Sequence, residues 1–118
     1  MLILIAHGSR RPEWRASVEG LVKILQTDIG HDAVQLAYMD CTPPTLMDVV
    51  SQAVRQGVKR IRVLPLFLTA EGHVDRDIRP LVEEARGLCA DVVLELLPPV
   101  GQHPMFLELL KTIVIREP

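Results

Sequence analysis

The residues of this 118-residue chain that are equipped for chemistry fall in three short stretches. In "LILIAHGSRRP", Leu2 to Pro12, an apolar run hands over abruptly to His7, Gly8, Ser9, Arg10 and Arg11. In "AVQLAYMDC", a second apolar run delivers Asp40 and Cys41. In "PLFLTAEGHVDRDIRP", a third is followed by Glu71, His73, Arg76 and Arg79. Imidazole is a good ligand for Fe, Co, Ni, Cu and Zn. Two histidines fall short of the four protein ligands of a structural zinc site; an open, incomplete set suits a metal that is held and then released. The arginines suit carboxylates, which their planar fork grips through two parallel hydrogen bonds. Each group also has a plainer role. A single histidine in a loop is ordinarily hydrogen-bonded to its surroundings, and Arg76 and Arg79 have Asp75, Asp77, Glu83 and Glu84 nearby as ion-pair partners.

The remaining candidates are weaker. Gly8 and Ser9 precede a helix start, where anions are favoured, but the stretch carries neither GxGxxG nor GxxxxGK[ST]. Phosphohistidine phosphatases place an arginine directly before the histidine, where this chain has Ala6. Nothing sets a base and an orienting acid around Ser9, so no nucleophilic triad is indicated. His31 falls in the loop that enters the second strand and reads as a solvated residue. His103, just before Pro104, reads as a helix cap or surface residue. Cys41 and Cys89 form no CxxC pair and are expected to be free thiols in a reducing cytoplasm, with Cys41 an ordinary buried thiol rather than a ligand.

The elements that would position these groups alternate along the chain. Leu2–Ala6, Ala33–Tyr38, Ile61–Leu68 and Val92–Leu97 read as strands, the third ended in its paired portion by Pro65. Between and after them, apolar residues recur at helical spacing: Trp14, Val18, Leu21, Val22 and Leu25; Leu46, Val49, Val50, Ala53 and Val54; Ile78, Leu81, Val82, Ala85 and Leu88; Phe106, Leu109, Leu110 and Ile113. Pro12 and Pro104 open helices, and Gly57, with Gly87 or a neighbour, closes them. Four βα units predict a parallel sheet with right-handed crossovers: an α/β three-layer sandwich of flavodoxin-like style. Such sheets bind ligands beyond the carboxyl ends of their strands. His7, Asp40, Glu71 and His73 all emerge at that edge. In a 2-1-3-4 strand order, His7 and His73 leave neighbouring strands at the switch point.

Length and composition fit a single domain over residues 1–118. Apolar residues make up 48% of the chain, enough for a real core. No apolar run reaches the roughly 20 residues of a membrane span, and no signal segment opens the chain; Met1 is expected to be the native start. A net charge of -2, with two Phe, one Tyr and one Trp, argues against nucleic acid.

"LIAHGSRRPEWR", "VQLAYMDCTPPTL", "RIRVLPLFLTAEGHVDRDIRPLVEEAR" and "LLPPVGQHPMFLELL" together resemble the short sirohydrochlorin chelatases, the class II cobaltochelatase and ferrochelatase family. The resemblance runs over nearly the whole chain; the "AHGSR" opening and "PLFL" followed by "GHVDRDI" are its specific parts. It implies a chelatase-like half that inserts a divalent metal, Co, Fe or Ni, into a sirohydrochlorin-type tetrapyrrole on the route to cobalamin, sirohaem or a related nickel cofactor. The metal is then a substrate, and no tightly bound cofactor, nucleotide or redox step is implied. The metal-handling histidines of the family fall on His7 and His73. A family glutamate falls on Asp40, one methylene shorter, and a commonly small position is occupied by Glu71. On this reading His7, His73 and Asp40 are catalytic, with a neutral imidazole or Asp40 taking up a proton. Ser9, Arg10 and Arg11 bind substrate, with the arginines on its acidic side chains. The resemblance further implies a homodimer in which two copies imitate the two lobes of longer chelatases, with no nucleic-acid or membrane partner. Two other readings stay open on the residues alone: a non-catalytic transition-metal carrier, and an anion-binding flavodoxin-like module.

Overall fold

The computed structural model describes residues 1–40, 42–69 and 72–116, His73 by its backbone. The elements follow in the expected order: β1 (Leu2–Ala6), α1 (Pro12–Ile29), β2 (Val34–Tyr38), α2 (Leu46–Arg55), β3 (Arg60–Pro65), a π-helical turn (His73–Ile78) running into α3 (Arg79–Leu88), β4 (Val93–Leu96), a 3-10 turn (Val100–Gln102) and α4 (Pro104–Arg116). The four strands form one parallel sheet in the order β2-β1-β3-β4. β1 and β3, the strands that deliver the two candidate histidines, are therefore neighbours.

The two faces of the sheet are covered unequally. On one, Ile3, Ile5, Ile61, Val63 and Leu94 pack against Val49, Val50 and Ala53 of α2 and Val82 and Ala85 of α3. These side chains are almost completely shut off from water, and their apolar burial is the main force holding the fold together. On the other face α1 contributes a single buried residue, Val22, against Leu4 and Val34. Leu64 and Leu66 on that face remain only partly buried.

The helical stripes are not all core faces. Trp14 stands 66% exposed on α1, its ring covered by the Arg11 guanidinium 4.7 Å above the centroid. The last stripe departs furthest from a packed helix: α4 buries no residue at all. Leu109, Leu110 and Ile113 stay 41–52% exposed, and Met105, Leu107, Val114 and Ile115 between 55 and 77%. α4 leans on the 3-10 turn before it rather than on the sheet. Its spacing was legible in the sequence; what it lacks, among the described residues, is a partner that covers it.

Local signals fix the ends of the elements. Thr45 and Asp48 form a reciprocal capping box at the start of α2: the Thr45 side chain accepts from the Asp48 amide at 3.2 Å, and the Asp48 carboxylate accepts from the Thr45 amide at 2.9 Å. α3 runs through Gly87 and ends at Leu88, where the Cys89 amide reaches back to the Ala85 carbonyl at 3.0 Å. Gly101 lies so close to the backbone of Leu68 that any side chain there would collide with it, and its amide bonds the Phe67 carbonyl at 3.0 Å. That contact ties the connection after β4 to the one after β3. Both edge strands carry a side-chain cap on an outward carbonyl. Gln26 of α1 donates to Val34 of β2 at 3.0 Å, and Arg86 of α3 grips Leu94 of β4 through Nε at 2.9 Å and Nη2 at 2.7 Å.

Candidate functional site

The site grows from the ends of β1 and β2. The Met39 amide donates to the Ala6 carbonyl at 2.7 Å, which holds the two strand exits together just before His7 and Asp40 leave the sheet. His7 is exposed. Gly8 turns the chain with φ at +92°, a backbone conformation that L side chains resist. The absence of a side chain there serves a second purpose. The Asp40 carboxylate rests directly against Gly8, in the space a Cβ would take. Asp40 is fixed by the Thr42 amide, which donates to its Oδ1 at 2.9 Å. Partial burial pushes the Asp40 carboxyl upward, but the hydrogen bonds from Thr42 and the nearby His7 charge outweigh it and hold the group below its ordinary range. Asp40 is thus an ionised carboxylate beside an imidazole at neutral pH, and a weak proton acceptor. Behind it Tyr38 is buried, and burial together with the Glu19 carboxylate pushes its phenol upward, so it stays neutral.

The candidate substrate residues separate into different tasks. The Ser9 hydroxyl accepts from the Arg11 amide at 3.1 Å and so shapes the turn. Arg11 is stacked on Trp14. Arg10 lines an open cavity of about 540 Å³, together with Arg15, Asp40, Thr42 and Pro43. A smaller cavity of about 210 Å³ includes Tyr38, Met39 and Asp40. A third, of about 310 Å³, is lined by Met1, His31 and Gln52 and takes in none of the candidate residues.

His73 opens the π-helical turn that follows β3. The Leu66 amide donates to the Ile5 carbonyl at 2.9 Å, so the chain leaves β3 alongside the end of β1, on the edge that carries His7. Arg79 pairs with Asp75 at 3.3 Å, the plainer of the two roles open to it, while Arg76 turns back onto the Gly72 carbonyl at 3.3 Å. Glu71 and Cys41 lie outside the described residues. Cys89 is a free thiol. His31 is solvated at the opposite edge. His103 caps α4 by accepting from the Met105 amide at 3.1 Å. Among the described residues no group of three or more potential ligands gathers. Two members of the site were not singled out from sequence. Thr42 had a signal, since Asp-x-Thr is a pattern in which the Asp side chain bonds the backbone two residues on. Arg15, one helical turn beyond Arg11, had none.

An α/β unit with a 2-1-3-4 parallel sheet and its chemistry gathered at the carboxyl edge is the class that fold and site define. Within it the chain belongs to the CbiX family, whose model matches residues 1–117. It is 33% identical over 107 residues to the chloroplastic sirohydrochlorin ferrochelatase of Arabidopsis thaliana, an alignment that takes in 91% of this chain and 48% of that protein. The fold superposes with a TM-score of 0.83 and 31% identity on a cobalamin (vitamin B12) biosynthesis CbiX protein from Marinobacter aquaeolei, covering 96% of this chain and 92% of the other. It superposes with a TM-score of 0.80 on the sirohydrochlorin chelatase SirB from Bacillus subtilis in complex with cobalt, at 21% identity, covering 96% of this chain and 47% of that one. The chain thus spans about half the length of the plant relative and of several archaeal ones. Among the described residues no helix is long and apolar enough to cross a membrane.

Proposed function

We propose that this chain is a sirohydrochlorin chelatase that inserts Co²⁺, Fe²⁺ or Ni²⁺ into the macrocycle and works as a homodimer in an aqueous, reducing compartment. The observation that carries the reading is the match to the CbiX family over residues 1–117, on a fold that sets His7 against an ionised Asp40 at the ligand-binding edge.

The macrocycle must lose two N–H protons as it gains M²⁺. His7 and His73 hold the incoming ion, as neutral imidazoles, on one face of the ring. Asp40, kept ionised by Thr42, supplies negative charge beside His7 that attracts the dication. Its depressed pKa makes it a poor base, so one proton passes to an imidazole nitrogen as that nitrogen releases the ion, and the other passes to solvent. Because metal and proton compete for the same ring nitrogens, insertion slows in acid. Arg10 faces the acidic side chains of the substrate.

Two features support the pairing of copies: the chain matches about half of the plant relative and of SirB, and α4 presents an apolar face with no cover. A C2 dimer is the commonest homo-oligomer. A second copy packed on α4 would roof the shallow edge where the substrate lies.

The test is insertion itself. Purified protein with sirohydrochlorin and one metal at a time is expected to change the visible spectrum faster than the uncatalysed mixture. His7→Ala and His73→Ala are each expected to remove about 10²-fold of the rate with the fold intact. Full activity in both variants overturns the site assignment. Metal binding without acceleration indicates a carrier, and neither property indicates an anion-binding module.

A further inference from the structure

We propose that Arg15, with Arg10, forms a two-armed clamp for a carboxylate substituent of the substrate in the open cavity beside Asp40, and that Arg11 is not part of it. The proposal rests on the tetrapyrrole reading above and assigns that ligand an orientation.

The cavity has a volume of about 540 Å³ and is lined by two guanidinium groups and one carboxylate. That carboxylate is engaged by the Thr42 amide, which donates to it at 2.9 Å. Arg10 makes no ion pair among the described residues. Arg15 is braced from behind. Its side chain is 26% exposed, its Nε is shut off from water, and Glu19 lies 3.5 Å away, one turn along α1. A guanidinium held in this way loses little side-chain freedom on binding a carboxylate, and its planar fork matches both oxygens. Arg11 is committed to a different task, its guanidinium on the Trp14 ring and its amide on Ser9.

The arrangement gives the site a polarity. The end near His7 and Asp40 favours a cation, and the end near Arg10 and Arg15 favours an anion. A macrocycle fringed with carboxylates and awaiting a dication can satisfy both ends in one orientation only, with an acidic arm in the cavity and its centre over the metal position.

The test uses metal-free sirohydrochlorin, so that binding is read by absorbance without turnover, and its methyl ester as the uncharged counterpart. For the free acid, Arg15→Gln and Arg10→Gln are each expected to raise Kd about tenfold, while Arg11→Gln changes it less than twofold. All three are expected to bind the ester as the wild type does, and to bind Co²⁺ alone unchanged. A Kd for the acid that Arg15→Gln leaves intact overturns the clamp alone. An equal loss for acid and ester overturns it too, because that outcome marks a packing role. Should Arg15→Gln fail to fold, Arg15→Lys takes its place: a loss of threefold or more for the acid is expected, since a point charge cannot engage both oxygens, and no loss overturns the proposal. Wild-type protein that binds neither acid nor ester overturns the tetrapyrrole reading and the clamp with it.

Discussion

At the scale of single residues, the site depends on a side chain that is absent. Gly8 provides both a turn at φ +92° and the room in which the Asp40 carboxylate sits. Gly8→Ala is expected to cost about 1–2 kcal/mol for the backbone conformation alone, with a further loss from displacing Asp40. Urea denaturation in an Asp40→Ala background isolates the second part, which should vanish there. Asp40 also carries a pH signature. Its folded pKa lies below the unfolded value, so its contribution to stability is complete above the ordinary carboxylate range. That contribution is lost as pH falls through the lower folded value. The thermal midpoints of wild type and Asp40→Asn are therefore expected to differ at pH 7 and to converge as pH falls through the lowered folded value. His7, Asp40 and Arg10 were legible in the sequence because an apolar strand fixes where its carboxyl end lies, and the residues just beyond it follow. Arg15 was not, because a helix position reports its face only once the neighbouring loop is in place. The roles of Ser9 and Arg11 were open for the same reason: a hydroxyl on an amide and a guanidinium on a ring depend on rotamers that residue type does not set.

At the scale of elements, periodicity located each strand and α-helix but not every end: the third apolar run continues to Leu68 where β3 stops at Pro65, and α1 and α4 run past their last stripe residues to Ile29 and Arg116. The π-helical turn at His73–Ile78 carried no such pattern. It opens at Gly72, whose φ of +76° L side chains resist. α4 was legible as a helix and misleading as a core element, since hydrophobic spacing says that a face will be covered and not by which chain. Replacing Leu110 and Ile113 together with Glu is expected to leave helix content unchanged by circular dichroism, because neither side chain is buried within its own chain. The same variant is expected to sediment as a monomer where the wild type sediments as a dimer. A wild-type monomer at micromolar concentration would sink the pairing.

At the scale of the whole molecule, the pairing proposed through the exposed face of α4 would tie stability to concentration. If a second copy supplies what α4 lacks, the thermal midpoint is expected to rise by a few degrees for each tenfold increase in protein, by mass action, and to be flat for the α4 double variant; a calorimetric dilution series reads both. The caps on the sheet edges bear on how far such association can go. With the Val34 carbonyl occupied by Gln26 and the Leu94 carbonyl by Arg86, an incoming extended segment meets acceptors already engaged on either flank. Growth by ribbon upon ribbon, the route to fibrous deposits, is thereby disfavoured at each flank where such a carbonyl is taken.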